Sequence, residues 1–427
     1  FMTAARQPPD KRGTADVIAA IERLTGLERK NQGVVFLVGA GHGGTHWVAA
    51  TFYLILPFIT KDLNLSYAEV GALVASFQLA AFAANFGSGL VVDMTGRRVV
   101  FQVLSLALGG AALMAIGGAQ SAWFMLPMVI VMGATNNLWH PPAIAFLSEA
   151  YPKHRGYTLS IHALGANVGD ALAPLAAGAL LLWFSWRGAA ALNALPAFAI
   201  ALITALLLAP RDKPLPHAPK KGLGAAEYFQ GVKGLLKNRA IVHLSLMAGF
   251  RTMAQHGVLV FLPLYLAHVA GMNPLWMGFT VMALQVGGVV ASPIAGTWSD
   301  RVGRRPVVLA GLTVATAMIV ILTLIHNDYL FVAGVAFLGF FMYAVRPVLH
   351  SWMMDLAPAA MSGSATSVMF GVQSLFTSAM LAGGGVVADK WGLDVVFWLL
   401  AASMLAANVL VYFLPHHAPA RDGGAKV

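Results

Sequence analysis

The decapeptide GLVVDMTGRR at residues 89–98 returns as GTWSDRVGRR at residues 296–305, each copy sitting where a long apolar segment meets a cluster of charge. The correspondence holds register far beyond that motif. Leu56-Pro57 answers Leu262-Pro263, Gly71 answers Gly278 and Gln78 answers Gln285. Farther on, His140-Pro141 faces Arg346-Pro347, Glu149 faces Asp355, Gly165 faces Gly371 and Gly178 faces Gly384. Self-similarity kept in step over two halves constrains the fold more than any single motif does, because whatever one half builds the other must build again.

Composition names the solvent. The chain is 58% hydrophobic and 10% charged, against roughly a quarter charged in soluble domains. A helix needs about 20 largely apolar residues to cross the hydrocarbon core, where backbone groups must be satisfied internally. Twelve such segments are read: 34–60, 67–92, 99–118, 123–148, 158–184 and 189–209, then 241–267, 275–299, 307–325, 329–354, 362–387 and 393–414. The expected fold is therefore an all-α membrane protein of twelve transmembrane helices in two pseudo-symmetric six-helix bundles. Residues 1–33 form a leading segment, 34–209 the first bundle, 210–240 a polar linker rich in Pro and Lys, 241–414 the second bundle and 415–427 a tail.

Positively charged loops stay cytoplasmic, and that rule orients the chain. Of 27 Lys and Arg, only Lys61, Arg187 and Lys390 face outward if both termini lie inside, while Arg251 and Arg346 fall within spans. Topology thus accounts for the net charge of +10, and no nucleic-acid surface is needed. Val17, Ile21, Leu24 and Leu27 recur at helical spacing among charges, as in an amphipathic helix on the inner membrane face. No secretory signal peptide is read, and the absence of cysteine removes disulfides and thiolate chemistry.

Twelve spans in two homologous halves, with G-x-x-x-D-x-x-G-R-R after the second span of each, resemble the major facilitator superfamily. The resemblance implies halves that rock about a central site. It also makes Asp93, Arg97 and Arg98, with Asp300, Arg304 and Arg305, gating residues that do not touch substrate. Glu149 and Asp355, near the ends of spans four and ten, fit the same charge-assisted networks. Within the superfamily the first half is similar to the fosmidomycin-resistance efflux group: His46, SYAEVGALVASFQLA at 66–80, His140-Pro141, and GANVGDALAPLAAG at 165–178. It departs from that group at Ala49-Ala50, where Asn-Asp is usual, and at Pro142, where an acid is usual.

Ionisable residues at bilayer depth are costly and face a cavity or a partner. Here that set is cationic. Arg251 lies in span seven and Arg346 in span ten; His42 and His46 lie in span one, His140 in span four, His162 in span five, His256 in span seven and His350 in span ten. In the family's architecture spans one, four, seven and ten surround the cavity. Two guanidiniums without a nearby acid in sequence call for an anion, and Arg suits bidentate recognition of carboxylate or phosphonate. The substrate-binding set is read as His46, His140, Arg251, Arg346, His350 and Asn137.

Asp170, one residue past Gly165-x-x-x-Gly169, is the acid well inside the bilayer and the candidate proton carrier, with His42 beside it in role. His42 and His46 share a helix face, which would suit a metal. No carboxylate or thiol accompanies the pair in sequence and the two arginines would repel a bare cation, so no metal and no cofactor are expected. No nucleotide-binding Gly-Lys motif or His-Glu-x-x-His pair is present, so the chain does not read as an enzyme.

The reading is a secondary active transporter, acting as a monomer in a bacterial inner membrane. It moves a small organic anion (phosphonate, carboxylate or anionic drug) by alternating access, as proton-coupled efflux. The alternatives are uptake or exchange of a metabolic organic acid or anionic metal chelate, and, from another class, a non-transporting membrane receptor.

Overall fold

The computed structural model describes Glu22 and residues 26–212, 233–325, 327–358 and 362–415, with the side chains of 85–91, 93, 94, 211, 362 and 363 left aside. Val17, Ile21 and Leu24 of the amphipathic pattern, most of the linker and the end of the tail lie outside these residues, while Leu27 is buried.

The first half comprises α1 (Arg29–Asp62), α2 (Tyr67–Thr95), α3 (Arg98–Ile116), α4 (Ala122–Leu138), α5 (His140–Ala150), α6 (Arg155–Leu180) and α7 (Trp186–Leu208). The second comprises α8 (Arg239–His268), α9 (Pro274–Val302), α10 (Arg304–Leu322), α11 (Asp328–Leu356), α12 (Ser362–Trp391) and α13 (Leu393–Val411). Short polar caps start the helices. The side chains of Ser66, Ser121, Ser185, Asn238, Asn273 and Asn327 each accept a hydrogen bond from a backbone N–H in the first turn that follows, satisfying donors that have no intrahelical acceptor.

Among the described residues nine helices are long and apolar enough to cross a membrane by length and composition: α2, α3, α6, α7 and α9 to α13. The exceptions are informative. α1 carries GAGHGGTH and α8 carries Arg251, Gln255 and His256, while α4 is 17 residues long and stops at Leu138. The polar groups that dilute these segments are the ones that later line the centre.

The fourth segment, expected as one continuous span over 123–148, is broken after Leu138. Pro141 and Pro142 lack the N–H groups that would bond to carbonyls one turn earlier, so α5 restarts at His140 with proline in its first turn. Its counterpart α11 carries Pro347 alone and stays continuous over 29 residues.

Glycine sets the spacing between helices. α1 packs along α6 so closely that a Cβ added at Gly165 would lie 1.8 Å from the Gly39 carbonyl oxygen, and one at Gly169 would lie 2.2 Å from that of Gly43. Small residues let membrane helices approach to backbone contact. The repeat is visible here too: Gly133 of α4 meets the Phe77 carbonyl of α2, and Gly339 of α11 meets the Leu284 carbonyl of α9.

Two pseudo-symmetric contacts join the halves, α2 with α12 and α6 with α9. Both are sealed at the end of the bundle opposite the basic loops. Added Cβ atoms at Gly71, Gly385, Gly178 and Gly278 would lie 2.2–2.3 Å from the carbonyls of Leu381, Tyr67, Pro274 and Pro174. Asp389 of α12 caps α2 across that junction, accepting from Tyr67 N at 2.8 Å and Ala68 N at 2.9 Å. His268 bridges as well, its Nε2 donating to the Pro57 carbonyl at 3.3 Å while its Nδ1 accepts from the Tyr67 hydroxyl at 2.9 Å.

Gly165→Ala is expected to lower stability by about 1–3 kcal/mol, the usual cost of overpacking, because two backbones must separate. Gly156→Ala, in the same helix with nothing within 4 Å of its added Cβ, is expected to be neutral or stabilising. Thermal unfolding of the purified variants in one detergent checks the contrast.

Candidate functional site

The close approach of α1 and α6 presses four polar side chains together. The Nδ1 of His42 lies 2.7 Å from the His162 carbonyl oxygen, and the two rings stack with centroids 3.9 Å apart. A carbonyl only accepts, so His42 carries its proton on Nδ1. In the neutral ring Nε2 is then an acceptor, and it faces the Nε2 of His140 at 3.1 Å. His140 therefore donates from Nε2. The Trp139 indole donates to the Nε2 of His162 at 3.1 Å, which places that ring's proton on Nδ1. Trp139 is fully buried and lies over Gly41, where a Cβ would sit 2.1 Å from the indole.

One turn along α1, the Nδ1 of His46 meets the Asp170 carboxylate at 3.0 Å. Both side chains are about one-quarter exposed. Sequence left Asp170 without a named partner, and the helix pairing supplies it. The single spacing that brings Gly169 to Gly43 also brings Asp170 to His46.

The arginines have separate fates. Arg251 is buried and its Nη2 donates to the Met342 carbonyl at 2.7 Å, so part of its hydrogen-bonding capacity is spent on backbone. Arg346 is exposed and makes no hydrogen bond or ion pair among the described residues. It is within electrostatic reach of His140 in the first half and of Arg251, His256, Tyr343 and His350 in the second. Asp170 likewise reaches His256 and Tyr343 across the divide. Ionisable groups of the two halves thus lie within electrostatic reach of one another.

His350 is half-buried against the Phe370 ring, centroids 5.4 Å apart. Asn137 is drawn elsewhere, its amide donating to the Ala81 carbonyl at 2.8 Å, so it braces α4 on α2. Gln78 donates to the Nδ1 of His256 at 2.8 Å, a side-chain link between the halves at mid-depth that sequence reasoning did not pair. Only the repeat hints at it, since Gln78 and Gln285 are equivalents. Two grooves of about 670 and 460 Å³ lie apart from this centre, one between α9 and α11 and one along α1, α6 and α7, and neither is lined by an ionisable residue.

The loop motifs hold each half together near its basic end. Arg98 forms a two-pronged ion pair with Glu149, and Arg304 pairs with Asp300 and, through Nε at 3.1 Å, with Asp355. The acids are repeat equivalents and the arginines are not, because Arg98 corresponds to Arg305. Loop geometry explains the swap. Gly96 ends α2 in the left-handed region and leaves Arg97 as a separate N-cap, whereas Gly303 alone separates α9 from α10, so Arg304 already lies in the first turn. Arg97 is exposed. Arg305 turns to the Tyr412 carbonyl at 3.2 Å and its ring. Asp212, read as linker, caps α3 by accepting from Arg98 N, Val99 N and Val100 N at 3.0–3.1 Å. The side chain of Asp93 lies outside the described residues.

Double-mutant cycles on unfolding are expected to give coupling of about 0.5–1 kcal/mol for Arg98 with Glu149 and for Arg304 with Asp355, since these pairs are partly exposed. Arg97 with Glu149, and Arg305 with Asp355, are expected to couple near zero.

The family model described as Major Facilitator Superfamily matches residues 36–291 and 277–427. The multidrug resistance protein MdtG of Proteus mirabilis is 24% identical over 90% of this chain and 94% of that protein. A phosphoglycerate transporter protein of Salmonella typhimurium is 23% identical over 88% of this chain and 87% of its own. Among solved structures, the nucleoside transporter NupG superposes with a TM-score of 0.76 at 12% identity, covering 89% of this chain and 98% of that one.

Proposed function

The chain belongs to the Major Facilitator Superfamily, and we propose that it moves a small organic anion, such as a phosphonate, carboxylate or anionic drug, through the space between its halves. The observation that carries this reading is Arg346: an exposed guanidinium at mid-span with no partner among the described residues. A fixed positive charge in a low-dielectric setting is stabilised by an anion, and the fork geometry favours carboxylate or phosphorus oxyanions. Arg251 adds a second charge nearby. His46, His140 and His350 supply ring nitrogens around it. The name of the Salmonella relative, a phosphoglycerate transporter, fits an organophosphate-type cargo.

The His46–Asp170 pair, each side chain about one-quarter exposed, supports coupling to protons. The resemblance of the first half to the fosmidomycin-resistance group, and the multidrug relative, support efflux; uptake or exchange of a metabolic organic acid is the second reading. By the charge of its loops the chain sits in a bacterial inner membrane with both termini cytoplasmic. The junction sealed by Asp389 and His268 is then external. The motif pairs of Arg98 and Arg304 act as gating elements, remade as the halves rock. The working unit is one chain.

Counterflow in proteoliposomes with labelled phosphonates, organophosphates and carboxylates is expected to show saturable anion exchange. Arg346→Ala should raise the half-saturating concentration about 10- to 100-fold, the worth of a charged two-pronged contact. Asp170→Asn should retain exchange and lose its response to a pH gradient. Flux of only neutral or cationic solutes would overturn the assignment.

A further inference from the structure

In sequence His42 and His46 stand as a pair on one helix face. The fold adds His140, and one nitrogen from each of the three rings lies within 4.8 Å of the others. From this cluster we propose that His42, His46 and His140 form a binding site for a divalent late transition-metal ion, of the zinc, cobalt or nickel type, taken up together with an anionic chelating ligand.

Three features of the geometry carry the assignment. First, metal-bound histidines almost always donate their other ring N–H to a carbonyl or carboxylate, which fixes the ring and raises its basicity. His42 does this through Nδ1 to the His162 carbonyl at 2.7 Å, and His46 through Nδ1 to Asp170 at 3.0 Å. Each is left with an Nε2 lone pair. Second, the Nε2 atoms of His42 and His140 face each other at 3.1 Å. Two nitrogens each about 2.0–2.1 Å from a tetrahedral ion stand roughly 3.3 Å apart, so the pair is spaced to hold either a shared proton or a metal. Metal binding needs His140 to move its proton to Nδ1, a buried atom with the Asn137 backbone as its neighbour, and the His46 ring to close in from the 4.8 Å span of the cluster. Third, His42 is buried and rigidly stacked on His162, while His46 is partly exposed. The cluster thus has a buried base and a partly exposed side.

Charge selects the form of the cargo. Arg346 acts on His140 electrostatically and Arg251 lies beside Arg346, so a bare dication is repelled. An ion whose remaining positions are filled by carboxylate or phosphonate oxygens is not. The histidines would hold the metal and Arg346 the free oxyanion of the same ligand. This part of the inference rests on the central space being the anion site; the metal site itself does not.

The test is titration of the purified full-length protein with Co²⁺ alone, read by the visible absorption of the bound ion, in a His416→Ala/His417→Ala background that removes the tail pair. One ion per chain with nitrogen-ligand bands is expected. His46→Gln, at the partly exposed position least able to disturb folding, should weaken binding at least tenfold, and His42→Gln should abolish it. Asp170→Asn should weaken it roughly 10- to 100-fold through loss of the orienting carboxylate. A negatively charged aminopolycarboxylate chelate of Co²⁺ should bind more tightly than free Co²⁺, and Arg346→Ala should reverse that order. Absence of a stoichiometric site, or a site indifferent to His46 and His42, would overturn the proposal even if anion flux depends on Arg346. Metal binding with no anion flux would leave the metal site standing and remove the anion reading instead.

Discussion

Backbone contact between α1 and α6 is the constraint on which the rest depends. Gly39 and Gly43 on one helix meet Gly165 and Gly169 on the other with no room for a β-carbon. Side chains flanking such a seam have nowhere to go but along it. His42 is forced over His162 and its Nδ1 onto a carbonyl; His46 is carried to Asp170. The glycines thus do more than permit packing: they set the distance at which imidazole, carboxylate and backbone oxygen become one hydrogen-bonded unit. Trp139 completes it by lying on Gly41 and donating to His162, which is possible because the proline pair breaks the fourth span immediately after it.

Against that hydrogen-bonded cluster stands the second half's cationic wall. Arg251 is partly answered by the Met342 carbonyl, and Arg346 by nothing among the described residues. The asymmetry grows out of the repeat, since His140-Pro141 and Arg346-Pro347 are the same position in the two halves. One half offers a titratable ring at that depth and the other a permanent charge. A symmetric scaffold thus carries two unlike faces, as the proposed grip on a charged ligand from both sides requires.

The repeat made the architecture legible: two bundles, the span count and the small-residue seam all follow from periodicity and apolar run length. Pairings across long separations were not legible. Nothing in sequence tells that Arg98 rather than Arg97 meets Glu149 while Arg304 rather than Arg305 meets Asp355, because the choice depends on whether the glycine alone, or the glycine and one further residue, separates the two helices. Helix rotation, set by packing, decided that Asn137 points to the Ala81 carbonyl and that Gln78 meets His256. The break at Trp139 was readable in principle from Pro141-Pro142, and the long apolar run masked it.

In the proposed function an anion held by Arg346 biases the halves between two arrangements. The chain has no cysteine, so spin labels can be placed by single substitutions without background. Labels at Lys153→Cys and Arg301→Cys report the basic end, and labels at Lys61→Cys and Asp394→Cys the sealed end, all four being exposed positions. Pulsed electron-resonance distances with and without a saturating organophosphate are the decisive measurement. Shortening at the basic end with lengthening at the sealed end, both abolished by Arg346→Ala, is the predicted result. An identical response in Arg346→Ala, or no response to any anion, would contradict the account.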